Sequence, residues 1–377
     1  MRELRFSPQL LKVPIYIAGK SAEQVREELG LEQVIKLASN ENPLGPSPKA
    51  LAAFQQALTQ AHRYPGLSER ELRRGLAAHH GLSEDNFIIG NGGTDVLRMI
   101  AQGFVFDGGN TVMGRVTFPL YRLLTTMFGG ESIQVEAGPD LALDLPALAR
   151  AAGEDTRVVW LCSPNNPTGL TLSQAELDDL LDRLPAHVLL VLDESYHSYV
   201  TQPDAVDSLR YVRQGRPVVS VRSFSKSAGL ANLRVGYGIS APQIIEYLMH
   251  TLLPFNTGGP AMRAAMASLE DHEHARASLE LVDRERKFLL AHMSELGLIC
   301  LPSQANFVLV GDVPGGGQAF ADQVLRHGVI VRPLAAFGVP QAVRVSVGTR
   351  PENERLLQAL AEVLSGAGER RILGEGR

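Results

Sequence analysis

Short apolar runs recur through most of the chain, each closed by a polar residue or a glycine. Phe87–Ile89, Thr111–Met113, Ser132–Val135, Arg157–Cys162, Val188–Leu192 and Val218–Val221 read as strands, with helical periodicity in most of the gaps between them. This alternation predicts an α/β fold, a mostly parallel sheet with helices on both faces. Arg234–Ile239 reads as one more strand, 241–252 as a helix and 260–296 as one long helix crossing to a second unit. The last part of the chain changes texture. Strands at Asn306–Val310, Val329–Arg332 and Val343–Val347, with helices near 317–327 and 352–364, predict a smaller α+β domain. Upstream, Ser21 with Gln24 caps a short helix, Val34–Leu37 is a strand, and Asn40–Pro48 is a proline-rich loop. Helices follow at 48–60 and at 69–80, the second capped by Ser68 with Glu71. The expected division is an arm with part of the small domain (1–45), a large domain (46–265) and a C-terminal small domain (266–377). The charged, glycine-containing tail after Ser365 is expected to fray.

Charge and cysteine content narrow the function. A formal net charge of -5 gives no reason to expect nucleic acid or an anionic membrane as partner. Cys162 and Cys300 lie far apart, which is neither a disulfide framework nor a zinc pattern. A reducing compartment is the simplest expectation. The N-terminus has no apolar leader segment and no run is long enough to span a bilayer, so the expected location is the cytoplasm.

The apolar pattern breaks most conspicuously at Lys226. Val218–Val221 gives way to Ser223-Phe224-Ser225-Lys226, with Arg234 eight residues later. A lysine at a strand end is poorly suited to a core but suits an amine that condenses with carbonyls. Ser223, Ser225 and Arg234 suit an anion, because hydroxyls donate and a guanidinium fork matches phosphate oxygens. A carbonyl and a phosphate on one small molecule point to pyridoxal phosphate. The β-lactamase reading of S-x-x-K lacks its companion motifs. Gly315-Gly316-Gly317 lacks the lysine of a phosphate loop and reads as a turn.

Three further polar motifs close strands on the side where open α/β sheets bind ligands. Gly92-Gly93-Thr94 opens a helix and offers backbone amides to an anion. Asp193 ends an apolar run, and a buried carboxylate needs a cationic partner such as a pyridinium nitrogen. Asn166 and Tyr196 could donate to the cofactor's ring oxygen, and Phe118 could stack on its ring. Taken singly, each has a plainer reading, as a helix cap, a turn or a packed aromatic. Their coincidence at four strand ends outweighs those readings.

Together Ser223-x-x-Lys226 with Arg234, Asn166-Pro167-Thr168-Gly169, Asp193-x-x-Tyr196 and Gly92-Gly93-Thr94 resemble the fold-type-I pyridoxal-phosphate aminotransferases. Leu37–Pro48, Arg63-Tyr64-Pro65, Gln304–Phe307 and Val343–Thr349 look like the histidinol-phosphate subgroup of that family. The resemblance implies that Lys226 joins the cofactor covalently and Asp193 pairs with the ring nitrogen. It implies that Asn166 and Tyr196 hold the ring oxygen, Phe118 stacks, and Gly93, Thr94, Ser223, Ser225 and Arg234 hold the phosphate. Tyr64 would reach that phosphate from a neighbouring subunit, making the protein a homodimer with a shared site. Tyr16, Asn42, Arg332 and Arg344 would face the substrate. The implied reaction is transamination between histidinol phosphate and 2-oxoglutarate. The shared motifs leave open an aromatic or broad aminotransferase, a phospho-amino-acid decarboxylase, or a cofactor-sensing domain. Gly93-Thr94-Asp95, Ile15, Val116 and Phe118 depart from the subgroup's usual residues.

Overall fold

A computed structural model describes residues 7–15, 21–66, 68–138 and 140–374, with 367–374 described by backbone alone. After a short first strand, β1 (Ile35–Lys36), come β2 (Phe87–Asn91), β3 (Asn110–Gly114), β4 (Glu131–Val135), β5 (Thr156–Cys162), β6 (Leu189–Asp193), β7 (Val218–Ser223) and β8 (Val235–Ile239). These last seven form one sheet in the order β2-β8-β7-β6-β5-β3-β4. All neighbours run parallel except β8, which is antiparallel to both β2 and β7.

Both faces of the sheet are buried, which is why its strands read as continuous apolar runs. Along β5, Val158 and Trp160 join one core with Val96, Leu97, Ile100, Tyr121 and Leu124 of the helices Gly93–Phe104 and Leu120–Met127. The alternate residues Val159 and Leu161 join the opposite core with Leu148, Leu177 and Leu180. The two-residue period of a strand makes that division.

The strands β9 (Ile299–Cys300), β10 (Phe307–Gly311), β11 (Val329–Ile330), β12 (Arg332–Pro333) and β13 (Val343–Ser346) build the smaller unit. Four of them make a sheet in the order β12-β13-β10-β9, while β11 pairs in parallel with β1. The small unit therefore takes strands from both parts of the chain. Its core joins Leu289 and Met293 to Val310, Val343, Val345, Leu356 and Leu360.

Several elements differ from the sequence expectation. The pattern over 260–296 is two helices, Gly259–Leu269 and His272–Glu295, because Asp271 caps the second by accepting from the His274 amide at 3.4 Å. The run Val329–Arg332 divides into β11 and β12, which pair in different sheets. The helix expected over 69–80 begins one residue earlier, as Ser68–His80. The last helix runs from Arg350 to Gly374, through the tail expected to fray. Among the described residues no helix is long and apolar enough to cross a membrane.

Candidate active site

Because β2 and β7 both run antiparallel to β8, the C-terminal ends of β2, β5, β6 and β7 lie along one edge. The reversal of β8 also brings Arg234, which precedes it, to that edge. Arg234 adopts a left-handed backbone, φ 55°, as the chain turns into β8. Its Nη1 donates to Ser225 Oγ at 3.4 Å and to the Ala231 carbonyl at 2.9 Å, and its Nη2 to Thr94 Oγ1 at 3.3 Å. Ser223 Oγ accepts from the Ser225 amide at 3.0 Å. Gly92, at φ 81°, opens the helix beginning at Gly93. A Cβ there would lie 2.2 Å from Arg234 Nη2, so only glycine lets the guanidinium lie against this turn. No carboxylate stands at ion-pair distance from Arg234 among the described residues. Helix amides, three hydroxyls and an uncompensated guanidinium form a cup for an anion.

Lys226 follows on the same loop. Its Nζ donates to the Ser39 carbonyl at 3.1 Å and lies 5.7 Å from the centre of the Tyr196 ring. Enclosure by protein, and then the Arg344 guanidinium, lower its pKa from 10.5 to about 8. An amine that sheds its proton near neutrality is a competent nucleophile and proton carrier.

Asp193 closes β6 and is 4% exposed. Its Oδ2 accepts from the Tyr121 hydroxyl at 2.8 Å. Its Oδ1 accepts from the Ser195 amide at 3.1 Å and the Ser195 hydroxyl at 2.6 Å. Burial raises its pKa, and no lysine or arginine pairs with it among the described residues. The neighbouring Glu194, by contrast, is neutralised by Arg222 at 2.8 Å.

Asn166 and Tyr196 flank the same space. Asn166 Oδ1 accepts from Arg344 Nη1, and the Tyr196 hydroxyl accepts from Asn40 Nδ2 at 3.0 Å. Burial pushes the Tyr196 phenol up to about 12. Phe118 sits edge-on to Tyr121, centroids 5.7 Å apart. Arg344 is buried on β13, directly opposite Arg332 in the β12 register. It donates to the Ala38 carbonyl at 2.8 Å, its Nε has no partner among the described residues, and burial with the Arg332 charge lowers its pKa to about 10. Asn42 donates to the Ser227 carbonyl and to Ser278 Oγ, both at 2.8 Å, and accepts from the Leu44 amide at 3.0 Å, so both ends of its amide are engaged within the chain.

The segment Ala38–Asn42 thus touches Arg344, Lys226, Tyr196 and Ser227 in turn. Tyr64 is not brought into this cluster: it is 77% exposed and stacks on Phe255 with centroids 4.4 Å apart. Tyr16 lies outside the described residues. Reasoning from sequence missed Tyr121, Ser195 and Asn40. Tyr121 was legible only as a residue three positions after Phe118, one helical turn on.

Comparison with known proteins accords with this geometry. The model of the family described as aminotransferase class I and II matches residues 32–360. The chain belongs to the class I and II aminotransferases. Within that class, its curated relatives include the histidinol-phosphate aminotransferase of Moorella thermoacetica, 42% identical over 94% of this chain and 92% of that one. Another is the histidinol-phosphate aminotransferase of an Anaeromyxobacter species, 41% identical over 95% and 98%. Among solved structures, histidinol-phosphate aminotransferase from Sinorhizobium meliloti in complex with pyridoxal-5'-phosphate superposes with a TM-score of 0.87 at 28% identity, covering 96% of this chain and 98% of that one. Aspartate aminotransferase of Thermus thermophilus, at 23% identity, shares the fold with a TM-score of 0.82. The architecture is that of a fold-type-I aminotransferase.

Proposed function

We propose that this chain is a pyridoxal-phosphate-dependent transaminase that exchanges the amino group of L-histidinol phosphate with 2-oxoglutarate, yielding imidazole acetol phosphate and L-glutamate in histidine biosynthesis. One observation carries the cofactor: three unmatched charged groups surround one space. Among the described residues, Asp193 is a buried carboxylate without a paired cation, Arg234 a guanidinium without a carboxylate, and Lys226 an amine without an ion pair. A protonated pyridine nitrogen, a phosphate and a carbonyl would complement them in that order.

Bound there, pyridoxal phosphate supplies the carbonyl that takes up the amino group and the protonated ring that draws electrons from the substrate carbon. Gly93, Thr94, Ser223, Ser225 and Arg234 would hold its phosphate. Asp193 would keep the ring nitrogen protonated, Asn166 and Tyr196 would bond the ring oxygen, and Phe118 would cover the ring. Lys226 Nζ would take the proton from the substrate carbon as general base and deliver it to the cofactor's carbonyl carbon as general acid. Asn42 would border the substrate. The boundaries at 45 and 265 divide the chain functionally, with the cofactor on the large domain and substrate anions met by the small one.

The paired arginines support the choice of substrate. Histidinol phosphate has no carboxylate, and its phosphate dianion can engage both Arg344 and Arg332, which stand opposite one another. Glutamate presents a single negative charge to the same place. Removing one partner of a buried charge pair costs roughly 2–5 kcal/mol, about thirtyfold to several thousandfold. Arg344→Ala should therefore slow both half-reactions by that order, and Arg332→Ala should slow the phosphate substrate more than glutamate. Single-turnover rates with each substrate test this. Equal losses in Arg332→Ala, or a wild type preferring phenylalanine to histidinol phosphate, would move the assignment to an aromatic aminotransferase.

Tyr64 with Phe255 presents an exposed aromatic pair, with Leu51, Leu58 and Leu253 also exposed. We read this surface as the contact of a homodimer in which Tyr64 completes the partner's phosphate cup. The enzyme would work in the cytoplasm.

A further inference from the structure

We propose that Tyr121 is a positioning residue for Asp193, whose phenol keeps that carboxylate ionised and fixes its direction at the floor of the site. The inference rests on the cofactor assignment above and concerns a residue that makes no contact with substrate.

A carboxylate as buried as Asp193 should take up a proton. Burial raises its pKa and the neighbouring Glu194 charge adds to the effect. Hydrogen bonds oppose this, from Ser195 on one oxygen and Tyr121 on the other, and the Lys226 charge pulls the same way without bonding to Asp193. The phenol cannot reverse the bond by ionising. Burial first, and then the Asp193 charge, push its own pKa well above the usual range, so its proton stays on oxygen and is donated.

The donor is also held still. Tyr121 is fully buried, and its ring lies flat on Trp160 with centroids 5.4 Å apart and planes 2° from parallel. Phe118 meets the Tyr121 ring edge-on, at 86°. The Tyr121 amide bonds the Phe118 carbonyl at 3.3 Å, so one helical turn carries both the phenol and the expected ring-stacking residue. The titratable groups that face Asp193 are Tyr121, Cys162 from β5, Glu194, Tyr196 and Lys226. Of these, Tyr121 alone donates a side-chain hydrogen bond to it.

Tyr121→Phe removes the hydroxyl and keeps the ring. Trp160 is the chain's one tryptophan, so its emission reports the stack itself. The full-length wild type and variant would be stripped of cofactor and titrated with pyridoxal phosphate from acid to neutral pH, following visible absorbance and Trp160 emission. Loss of one hydrogen bond to a charge predicts roughly ten- to a hundredfold weaker cofactor binding. The pH below which binding fails should move upward by about one unit or more, because Asp193 now protonates more readily. Trp160 emission of the cofactor-free protein should be unchanged. Wild-type affinity with an unmoved acid limb would overturn the proposal. So would weaker binding accompanied by altered emission before cofactor is added, which marks a packing role. A wild type that takes up no cofactor would overturn the cofactor assignment as well, and is recognised without the variant.

Discussion

The Lys226 amine should titrate near neutrality before any cofactor is present. Its pKa stands at about 8 against an ordinary 10.5. At about pH 7.5 roughly a quarter of these amines would be uncharged, against about one in a thousand for an ordinary lysine, an enrichment of roughly two-hundredfold. Enclosure by protein is the main cause, followed by repulsion from Arg344, while Glu41 pulls the other way. Arg344→Met should therefore move the midpoint up, and Glu41→Gln should move it down. The assay is competitive labelling of the cofactor-free chain with an amine reagent across pH, with the Lys226 peptide quantified by mass spectrometry against the exposed lysines. A Lys226 midpoint near that of the exposed lysines would refute the reasoning. A midpoint that ignores Arg344→Met would remove the electrostatic part and leave burial alone.

Two other outcomes follow from the same geometry. Asp193→Asn keeps the shape of the side chain but deletes its charge, and breaking a buried charge pair costs about 3–5 kcal/mol. Cofactor affinity should fall at least as far as in Tyr121→Phe; at saturating cofactor, turnover should still fall roughly a hundred- to a few thousandfold, and a near-wild-type half-reaction rate would count against the role. For Tyr64, mixing Tyr64→Ala subunits with Lys226→Ala subunits should restore activity, since a hybrid dimer contains one site with both residues intact. Sedimentation as a monomer at assay concentration, or no recovery on mixing, would place Tyr64 outside the site.

Much of this was legible because the important residues violate the pattern around them. Asp193 and Lys226 interrupt or follow apolar runs where a buried charge needs a reason, and the runs themselves mark the sheet. Pairing was not legible. Nothing in the sequence of Val235–Ile239 says that this strand runs against its neighbours, yet that reversal delivers Arg234. Val329–Arg332 reads as a single extended run because extended backbone has the same alternation whichever sheet it joins. The break at Asp271 carried a cap signal, masked by apolar periodicity continuing on both sides. Tyr121 and Asn40 were missed for a common reason: each acts on a side chain distant in sequence, and no local pattern records such a bond.

The placement of Ala38–Asn42 has a consequence for how the protein is made. This segment is synthesised early, but its anchors come late: the Asn40 amide donates to Ser346 Oγ at 2.8 Å, the Asn40 carbonyl accepts from Asn306, and the Ala38 carbonyl accepts from Arg344. A nascent chain folds from its N-terminal side as it leaves the ribosome. The large sheet is complete once Ile239 has emerged, while the strip that borders Lys226 and Tyr196 still lacks its supports. The earliest-made part of the site is thus among the last to be fastened, and a growing chain cannot assemble the full pocket until translation has passed β13.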